Sequence, residues 1–443
     1  MPTKSTGHSQ LKRVLLLNPP GKRSYLRDYY CSSISKAGYY WPPIDLLVLS
    51  GLLKNRFDVH VLDAIIQKRG FENCAKDIKR IRPEIIIFLS STQSCRDDFP
   101  FIRRIKRAQK TVVIGCGEIF LEDSQKILKE NPFLDGVILD FTNPSIIDFL
   151  KSPSLFHKTL PRQKRHKNKQ LFFTYPTPLH AKFPLRQYRY PYNRSKPFTS
   201  VLTTYGCPHH CHFCNSGNLG FKRRNICNIV EELKEIRKLG IKQVFFADMT
   251  FGENREHTLH LCDAIAKEGI DLNWNCYSRV DVVDEQLLKA MKRAGCHLVQ
   301  YGIENIDQHL LKKYGKNISL SRVKNTFELM KKQKILSGAH FLFGLSKESP
   351  ASVKKSIRFI HLLKPDYVSF NIFYPRKSSW LSQESPPDNL ILLQKYIRKG
   401  YLQFYLSPFY LAKKLLGIRS LYEFSNLLYM GKMLCRNLVT GRI

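Results

Sequence analysis

Three closely spaced cysteines give this sequence its clearest chemical signal. Cys207, Cys211 and Cys214 come directly after residues 198–204, an apolar and β-branched segment that predicts a β-strand. A short loop at the end of a strand can direct three thiolates to one place. Sulfur ligands favour zinc or an iron–sulfur cluster over hard cations. Three thiolates can bind three irons of a cubane cluster and leave the fourth iron open to a small molecule.

The arrangement Cys-x3-Cys-x-Phe-Cys, with Phe213 just before the last cysteine, resembles the radical S-adenosylmethionine (SAM) enzymes. The resemblance implies that Cys207, Cys211 and Cys214 are the catalytic ligands of a [4Fe-4S] cluster, whose open iron chelates SAM. It also implies that the reduced cluster splits SAM into methionine and a 5′-deoxyadenosyl radical, which takes a hydrogen atom from an unactivated carbon. The backbone at Phe213 would contact the adenine of SAM. An external electron donor such as flavodoxin or ferredoxin would reduce the cluster.

A structural zinc site is the alternative assignment for the same loop. His209, His210 or His212 could supply a fourth ligand beside the three cysteines. Zinc sites usually combine two short paired halves, however, and no second pair lies nearby. The other nine cysteines are scattered, many in apolar segments, which is typical of reduced cytosolic proteins. The corresponding function is a zinc-stabilised nucleic-acid-binding protein, but no RNA-binding module is identifiable, so nucleic acid is not the expected partner.

Six strand–helix units follow one another between residues 198 and 375 and would hold the cysteine loop. This repeat predicts a partial (β/α)6 barrel of the TIM type, with functional residues at the carboxyl ends of its strands. Three polar residues occupy such positions, and the family resemblance gives each a role toward SAM. Asp248 would lie near the methionine amino group, and Arg279 would pair with the methionine carboxylate. Glu304 would reach the ribose hydroxyls or the amino group.

Residues 12–150 alternate continuous apolar strands with amphipathic helices, which predicts a doubly wound parallel α/β sheet of the Rossmann type. In its layout this segment resembles the cobalamin-binding domain that precedes the cluster domain in one radical SAM subgroup. Small residues after its third and fourth strands would hold the cobalamin tail. These residues are Ser90, Ser91, Thr92, Gly115 and Gly117.

The N-terminal segment departs from the cobalamin-binding pattern in two places. The D-x-H-x-x-G motif is absent, because Ile65 and Lys68 stand at its histidine and glycine positions. Residues 139–144 replace a Gly-Glu-Gly-Glu segment. Two enzymatic functions therefore stay open. One is cobalamin-dependent C-methylation of a lipid, tetrapyrrole or other small metabolite, and the other is a radical SAM cyclisation or oxidation without bound cobalamin.

The charge is strongly positive, with 72 Lys and Arg against 36 Asp and Glu, and residues 149–230 contain no acid. Such a surplus attracts polyanions or an anionic membrane face, unless it is only a solvated basic surface. Residues 151–197 are interpreted as a basic interdomain linker, with single-stranded nucleic acid binding as the alternative. Residues 376–443 predict a basic, aromatic and helical extension. It closes the open side of the barrel or, alternatively, lies on a membrane surface.

No apolar segment approaches the ~20 residues needed to cross a bilayer, and the N-terminus has no signal-peptide apolar region. A cytoplasmic location is therefore expected, with peripheral membrane contact if the C-terminal extension lies on a membrane. A cluster with an open iron is oxygen-sensitive, so the expected conditions are reducing and anoxic.

Overall fold

The computed structural model describes residues 11–29, 31–36, 38–152, 158–160, 171–214, 216–345, 348–375 and 389–439, with single positions between 381 and 387. The chain forms two compact units that alternate along the sequence. The N-terminal unit is made of Met1–Ile34, Asp45–Gln163 and Tyr175–Pro184, and the C-terminal unit of Ser35–Ile44, Lys164–Thr174 and Leu185–Ile443. The basic run 162–169 of the expected linker lies outside the described residues, and its role stays a prediction.

The strands of the N-terminal unit are β1 (Arg13–Asn18), β2 (Tyr25–Asp28), β3 (Cys31–Ile34), β4 (Asp58–Asp63), β5 (Ile85–Leu89), β6 (Val112–Cys116), β7 (Gly136–Ile138) and β8 (Lys158–Leu160). Six of them form a parallel sheet in the order β4-β1-β5-β6-β7-β8. The central strands are apolar throughout and fully buried, as a parallel sheet covered on both faces requires.

The helices of this unit are α1 (Ile44–Leu53), α2 (Phe71–Ile81), α3 (Cys95–Ala108), α4 (Ser124–Glu130) and α5 (Ile146–Lys151). α1 is apolar on nearly every side and is buried, whereas α2 and α3 turn only one face to the core. The sequence predicted alternating helices, but no pattern in it predicted the antiparallel β2–β3 hairpin. Its short strands lack a clear alternation, and a buried arginine described below fixes them instead.

The strands of the C-terminal unit are β9 (Phe172–Phe173), β10 (Phe198–Val201), β11 (Thr204–Gly206), β12 (Phe221–Arg224), β13 (Gln243–Phe246), β14 (Asn273–Ser278), β15 (Cys296–Glu304), β16 (Leu336–Phe343) and β17 (Tyr367–Ile372). Six of them form a parallel sheet in the order β10-β13-β14-β15-β16-β17. Sequential order with an intervening helix is the order of a (β/α) barrel. The predicted fold class, two α/β sheets followed by helices, is confirmed.

The helices of the repeat are α6 (Ile226–Lys238), α7 (Arg255–Lys267), α8 (Glu285–Arg293), α9 (Gln308–Lys313), α10 (Leu320–Lys332) and α11 (Pro350–Leu363). Each begins at a short polar side chain that accepts a hydrogen bond from a backbone N–H of the first turn, which satisfies a donor that the helix leaves free. These caps are Asn225, Asn254, Asp284, Asp307, Ser319 and Ser349.

One face of the second sheet is accessible to solvent near its carboxyl edge. Central strands covered on both sides are normally buried on both faces, yet alternate residues toward the ends of β14 to β17 stay partly exposed. They are Tyr277, Gly302, Glu304, His340, Leu342, Ser369 and Asn371. This set is called the open face below, and it is the place where the sheet can meet a ligand.

The chain ends in helices α12 (Leu390–Tyr405), α13 (Pro408–Leu416) and α14 (Leu421–Val439). α12 packs on the edge strand β17, where the Tyr401 hydroxyl accepts from Phe370 N–H and the Tyr405 hydroxyl accepts from Val368 N–H. α12 thereby covers the edge strand of the sheet, which would otherwise present unpaired backbone groups. Within the described part of the chain, no helix has the length and apolar character to span a membrane.

Candidate active site at the cysteine loop

The cysteine loop leaves β11 and returns to β12, which pairs with it antiparallel. Gly206 has φ of 78°, and a Cβ there would lie 1.9 Å from the carbonyl oxygen of Gly220. Only glycine permits this approach of two backbones. The N–H of Cys207 donates to the same carbonyl at 3.1 Å. The glycine before the first cysteine therefore fixes the start of the loop.

A second anchor holds the middle of the loop against the turn that follows α9. His212 N–H donates to the carbonyl of Tyr314 at 2.9 Å. Gly315, with φ of 69°, leaves room for the carbonyl of His210, which a Cβ would approach to 2.8 Å. The half-buried Phe213 ring packs against an apolar cluster that includes Tyr314. The Phe213 side chain therefore fixes the loop. The adenine contact predicted for its backbone is a separate matter.

The three sulfurs each have a polar neighbour. Cys207 Sγ lies 3.6 Å from the Thr250 hydroxyl, Cys211 Sγ accepts from Arg279 Nη1 at 3.4 Å, and Cys214 Sγ lies 3.1 Å from the Ser216 hydroxyl. Burial raises the pKa of Cys207 and of Cys211, and the charge of Cys214 adds to the rise in both.

The loop suits a cluster better than a single ion. In the described residues, no three His, Cys, Asp or Glu side chains are arranged to hold one metal ion, whereas a zinc site needs four ligands converging on one centre. His209, a candidate fourth ligand, bonds with Glu253 at 2.7 Å instead. A cubane cluster makes a different demand, because each thiolate binds its own iron.

Two cations lie beside Cys211, and each has its own carboxylate. Arg279 is nearly buried and bonds both oxygens of Asp281, at 3.0 and 2.7 Å. Burial alone would lower the pKa of Arg279, but the hydrogen bonds and charge of Asp281 raise it. Lys316, also nearly buried, donates to Glu304 at 3.3 Å, and its charge opposes the rise in the pKa of Cys211. Lys316 is a single lysine without any motif around it, so the sequence did not indicate a role for it.

Asp248 is fully buried, and both of its oxygens are used inside the unit. Its Oδ1 accepts from the N–H groups of Thr203 and Thr204, at 2.8 and 3.1 Å, and its Oδ2 accepts from the Thr203 hydroxyl. Burial raises the pKa of Asp248 to about 6, although these hydrogen bonds act in the opposite direction. The carboxylate thus fixes the backbone at the start of β11. The predicted contact between Asp248 and the SAM amino group would need a lone pair of the carboxylate that these three hydrogen bonds do not use.

Glu304 ends β15 in the left-handed region, with φ of 66°. This conformation is strained for a residue with a side chain and typically occurs at functional positions. The strand is irregular here, between Gly302 and Glu304. A Cβ on Gly302 would lie 2.2 Å from Glu304 Oε1 and 3.1 Å from Lys316 Nζ. Gly302 therefore leaves the space in which the Lys316–Glu304 pair forms.

A hydrogen-bonded chain of side chains continues across the open face. Gln300 donates through Nε2 to the Tyr190 hydroxyl at 2.8 Å, and that hydroxyl lies 3.1 Å from the Tyr277 hydroxyl. The Oε1 of Gln300 must then accept, at 3.2 Å, from Nε2 of His340. Burial lowers the pKa of His340 to about 4, so the ring is neutral at pH 7. Its Nδ1 is consequently a hydrogen-bond acceptor, a role that no sequence motif indicated.

The predicted cobalamin residues lie at the carboxyl ends of β5 and β6, in the N-terminal unit. Ser90 and Ser91 are buried, and their hydroxyls bond to Asp98 at 2.8 Å and to Ser94 at 3.0 Å. Asp98 in turn forms a fully buried ion pair with Arg27 of the β2–β3 hairpin, at 2.7 Å. The two serine hydroxyls are therefore part of an internal network that holds the hairpin over the strand ends.

The two glycines are also explained by packing. A Cβ on Gly115 would lie 2.3 Å from the Phe120 ring, and a Cβ on Gly117 would lie 2.4 Å from the carbonyl oxygen of Ser90. Thr92 is the exposed member of the set, and it bonds through N–H and hydroxyl to Glu118. These five residues place only small side chains at the strand ends, and Thr92 provides the exposed polar group.

One buried acceptor at the same edge has no partner. Asp45 accepts from Tyr29 N–H through Oδ2, while its Oδ1 has no hydrogen bond among the described residues. Burial raises the pKa of Asp45 to about 7. Burial also raises the pKa of Cys116, at the end of β6, and the charge of Asp45 adds to that rise. An unpaired carboxyl oxygen beside small residues fits a ligand rich in amide groups, which can donate to a carboxylate or accept from a carboxylic acid, and the corrin ring carries amide side chains.

Comparison with known proteins matches residues 201–360 to the Radical SAM superfamily. A relative from Pyrococcus horikoshii, described as the uncharacterized methyltransferase PH0819, is 26% identical, and the match covers 91% of this chain and 95% of the relative. The bacteriochlorophyllide d C-12(1)-methyltransferase of Chlorobaculum tepidum is 23% identical, over 82% of this chain and 76% of the relative.

A solved structure has a similar fold. The radical SAM methyltransferase TsrM of Kitasatospora setae, with cobalamin and a [4Fe-4S] cluster bound, gives a TM-score of 0.64 at 18% identity, over 82% of this chain and 72% of that protein. The family resemblance expected from the cysteine motif is confirmed by the domain match and the shared fold. Residues 201–360 match a radical SAM domain, and such a domain implies a [4Fe-4S] cluster and SAM as cofactors.

Proposed function

We propose that the enzyme cleaves SAM at a cluster held by Cys207, Cys211 and Cys214, abstracts hydrogen from an unactivated carbon of a small molecule and methylates that molecule. The observation that carries the proposal is the three-cysteine loop, fixed at its start and at its middle beside the carboxyl edge of a parallel sheet. When bound, the cluster and SAM would supply the one-electron chemistry that protein side chains lack.

The surrounding residues would bind and orient SAM. Arg279 and Lys316 place positive charge beside Cys211, and Glu304 lies within reach of Lys316 at the end of β15. Arg279 would meet the SAM carboxylate with the guanidinium edge that Asp281 leaves free. The open face, with the neutral acceptor of His340, would receive the substrate. Asp248 would act through Thr203 by keeping the loop in place.

Methyl transfer through cobalamin is the preferred reaction. Its support is the N-terminal parallel sheet with small residues and an unpaired Asp45 oxygen at its carboxyl edge. Further support comes from relatives whose names describe methyltransferases. The second candidate is a cyclisation without methyl transfer. The anaerobic magnesium-protoporphyrin IX monomethyl ester cyclase of Cereibacter sphaeroides, 22% identical over 81% of this chain and 62% of the relative, supports it.

The substrate class that fits these relatives is a tetrapyrrole or a lipid. The name of one relative includes a bacteriochlorophyllide, and that of another, the hopanoid C-3 methylase of Methylococcus capsulatus, a lipid; the latter match covers 28% of this chain. The partners proposed are an external electron donor such as flavodoxin or ferredoxin and, for the C-terminal helices, a membrane surface. The net charge of +36 would favour association with acidic donor proteins.

The proposal is tested by anaerobic reconstitution with iron and sulfide, followed by incubation with methyl-labelled SAM, a reductant and cell extract. Wild type should form 5′-deoxyadenosine, S-adenosylhomocysteine and a labelled acceptor. Cys207→Ala should lose the cluster absorbance and all three products. The matched control is Cys227→Ala, because Cys227 is an exposed cysteine on α6 outside the loop. SAM cleavage by Cys207→Ala without a cluster would contradict the proposal.

A visible spectrum separates the two candidate reactions. The protein is mixed anaerobically with hydroxocobalamin, desalted and scanned. Retained corrinoid absorbance, together with labelled acceptor, supports methyl transfer. Substitution of Thr92 by Val removes the exposed hydroxyl and should weaken retention. Formation of 5′-deoxyadenosine without retained corrinoid and without label would instead support the cyclisation.

A further inference from the structure

The C-terminal helices expose an unusual amount of apolar surface. Sixteen large apolar side chains are exposed in the described part of the chain, and eleven of them lie between Ile391 and Val439. That segment is only 49 of the 443 residues. Single exposed apolar residues are normal in any protein, but such a concentration marks an interaction surface.

The exposed side chains of α14 follow one face of the helix. They recur at helical spacing, with exposures of 89%, 41%, 58% and 77%, and they are Leu421, Phe424, Leu428 and Val439. The opposite face is fixed to the C-terminal unit. Asn426 donates to the carbonyl of Tyr190 at 3.0 Å, and the Arg189 guanidinium lies over the Tyr429 ring at 4.1 Å. The outward stripe therefore belongs to a helix that is already packed.

α13 has the same two-sided character. Tyr410 is buried, and its ring packs against Phe404 with centroids 5.0 Å apart. Phe409, Leu415 and Leu416 point away from that contact and are 68%, 59% and 89% exposed. Two consecutive helices thus each fix one face to the body of the unit and turn an apolar face to solvent.

The charge of this segment identifies the partner. Residues 389–443 contain nine Lys or Arg and one acid, Glu423. We propose that the outward faces of α13 and α14 dock on an anionic lipid surface. Apolar side chains would enter the boundary of the acyl chains, while the basic residues contact the headgroups. A different protein partner would need acidic residues opposite these basic ones. A second copy of this chain is itself basic and would be repelled.

Vesicle sedimentation tests the docking surface with the full-length, reconstituted protein. Vesicles of phosphatidylcholine and phosphatidylglycerol in equal parts should pellet the protein at about 0.1 M salt, and binding should fall steeply at higher salt because charge is screened. Pure phosphatidylcholine should bind it much more weakly. The double substitution Leu415→Ser and Leu416→Ser should weaken binding to the anionic vesicles about tenfold, because two exposed side chains no longer enter the bilayer.

Leu362→Ser is the matched control, because Leu362 is 73% exposed on α11, outside the proposed surface. It should bind like wild type, and neither variant should change SAM cleavage in solution. Equal binding by wild type and the double variant would overturn the proposal, as would a wild type that ignores anionic vesicles. Sedimentation equilibrium adds one more refuting outcome. A wild-type dimer that the double variant converts to a monomer would make this face a subunit interface.

Discussion

Asp248 offers the sharpest test of how the cysteine loop is held. Its two oxygens accept three hydrogen bonds from Thr203 and Thr204, and no part of the carboxylate is exposed. Asn is an isostere that can keep all three bonds. Its Oδ1 accepts both backbone N–H groups, and its Nδ2 donates to the Thr203 hydroxyl, which rotates to accept. Leu has the same size but can form none of them.

The magnitudes follow from the buried charge and the buried donors. The pKa of Asp248 rises from 3.8 to about 6, so ionisation costs about 3 kcal/mol more in the folded state, at 1.36 kcal/mol per unit. Asp248→Asn avoids this cost and should be at least as stable as wild type at pH 7. Asp248→Leu leaves two buried N–H groups unpaired, at about 1–3 kcal/mol each, and should be about 2–6 kcal/mol less stable than Asp248→Asn.

The dependence on pH has a definite sign. Because the folded-state pKa lies above the unfolded value, the folded protein binds more protons between pH 4 and 6. The contribution of Asp248 to stability is therefore present below about pH 4 and is lost as the pH rises through 6. Urea unfolding of wild type should show this loss of about 3 kcal/mol. The same series with Asp248→Asn should lack this component.

SAM binding separates the positioning role from the predicted cofactor contact. If Asp248 acts only through Thr203 and Thr204, Asp248→Asn should keep cluster content and SAM affinity. Both would be measured anaerobically, by iron analysis and by equilibrium dialysis with labelled SAM. A folded, cluster-containing Asp248→Asn protein with tenfold weaker SAM binding would refute the reasoning and restore the direct contact with the SAM amino group.

Two further predictions concern groups that the structure brings together. Gly302→Ala should displace the Glu304 carboxylate, because the new Cβ would lie 2.2 Å from Oε1. SAM affinity should fall about tenfold, whereas Gly70→Ala, where a Cβ meets nothing within 4 Å, should leave SAM affinity unchanged. Arg27→Met should destabilise the N-terminal unit by about 3–5 kcal/mol in urea unfolding, because the buried Asp98 loses the cation that offsets its desolvation. Recovery in the double variant Arg27→Met and Asp98→Leu would confirm this cause, and equal loss in both would contradict it.

The sequence predicted best what local pattern determines. Apolar strands, helices with polar first residues and the order of the repeat are written into neighbouring residues, and both sheets agree with the prediction. The cysteine motif was recognisable because its spacing alone constrains the chemistry. Asp248, Arg279 and Glu304 were found because each follows a strand. Their roles toward SAM stay predictions.

Groups that act through distant partners could not be predicted. Lys316 meets Glu304 across 12 residues, and Arg27 meets Asp98 across 71 residues, with no periodic pattern at either end. Five small residues in two short stretches predicted a site for the cobalamin tail, and the hydroxyls of Ser90 and Ser91 bond within the chain, so their role toward cobalamin stays a prediction. A small residue in a sequence marks a close approach, but only the structure tells whether a ligand or the chain itself makes it.

The charges around Cys211 suggest how the site can receive thiolates and a carboxylate group without rearranging. Arg279 is already oriented by Asp281, and Lys316 by Glu304. Each cation is nearly buried, so its side chain has lost its freedom before any ligand arrives. Thiolates and a SAM carboxylate would meet fixed donors that need no reorganisation, which is the condition for strong electrostatic stabilisation in a site of low dielectric. In the motif Tyr-Ser-Arg-Val-Asp, the terminal Asp281 thus has as definite a task as Arg279, because it determines where the guanidinium points.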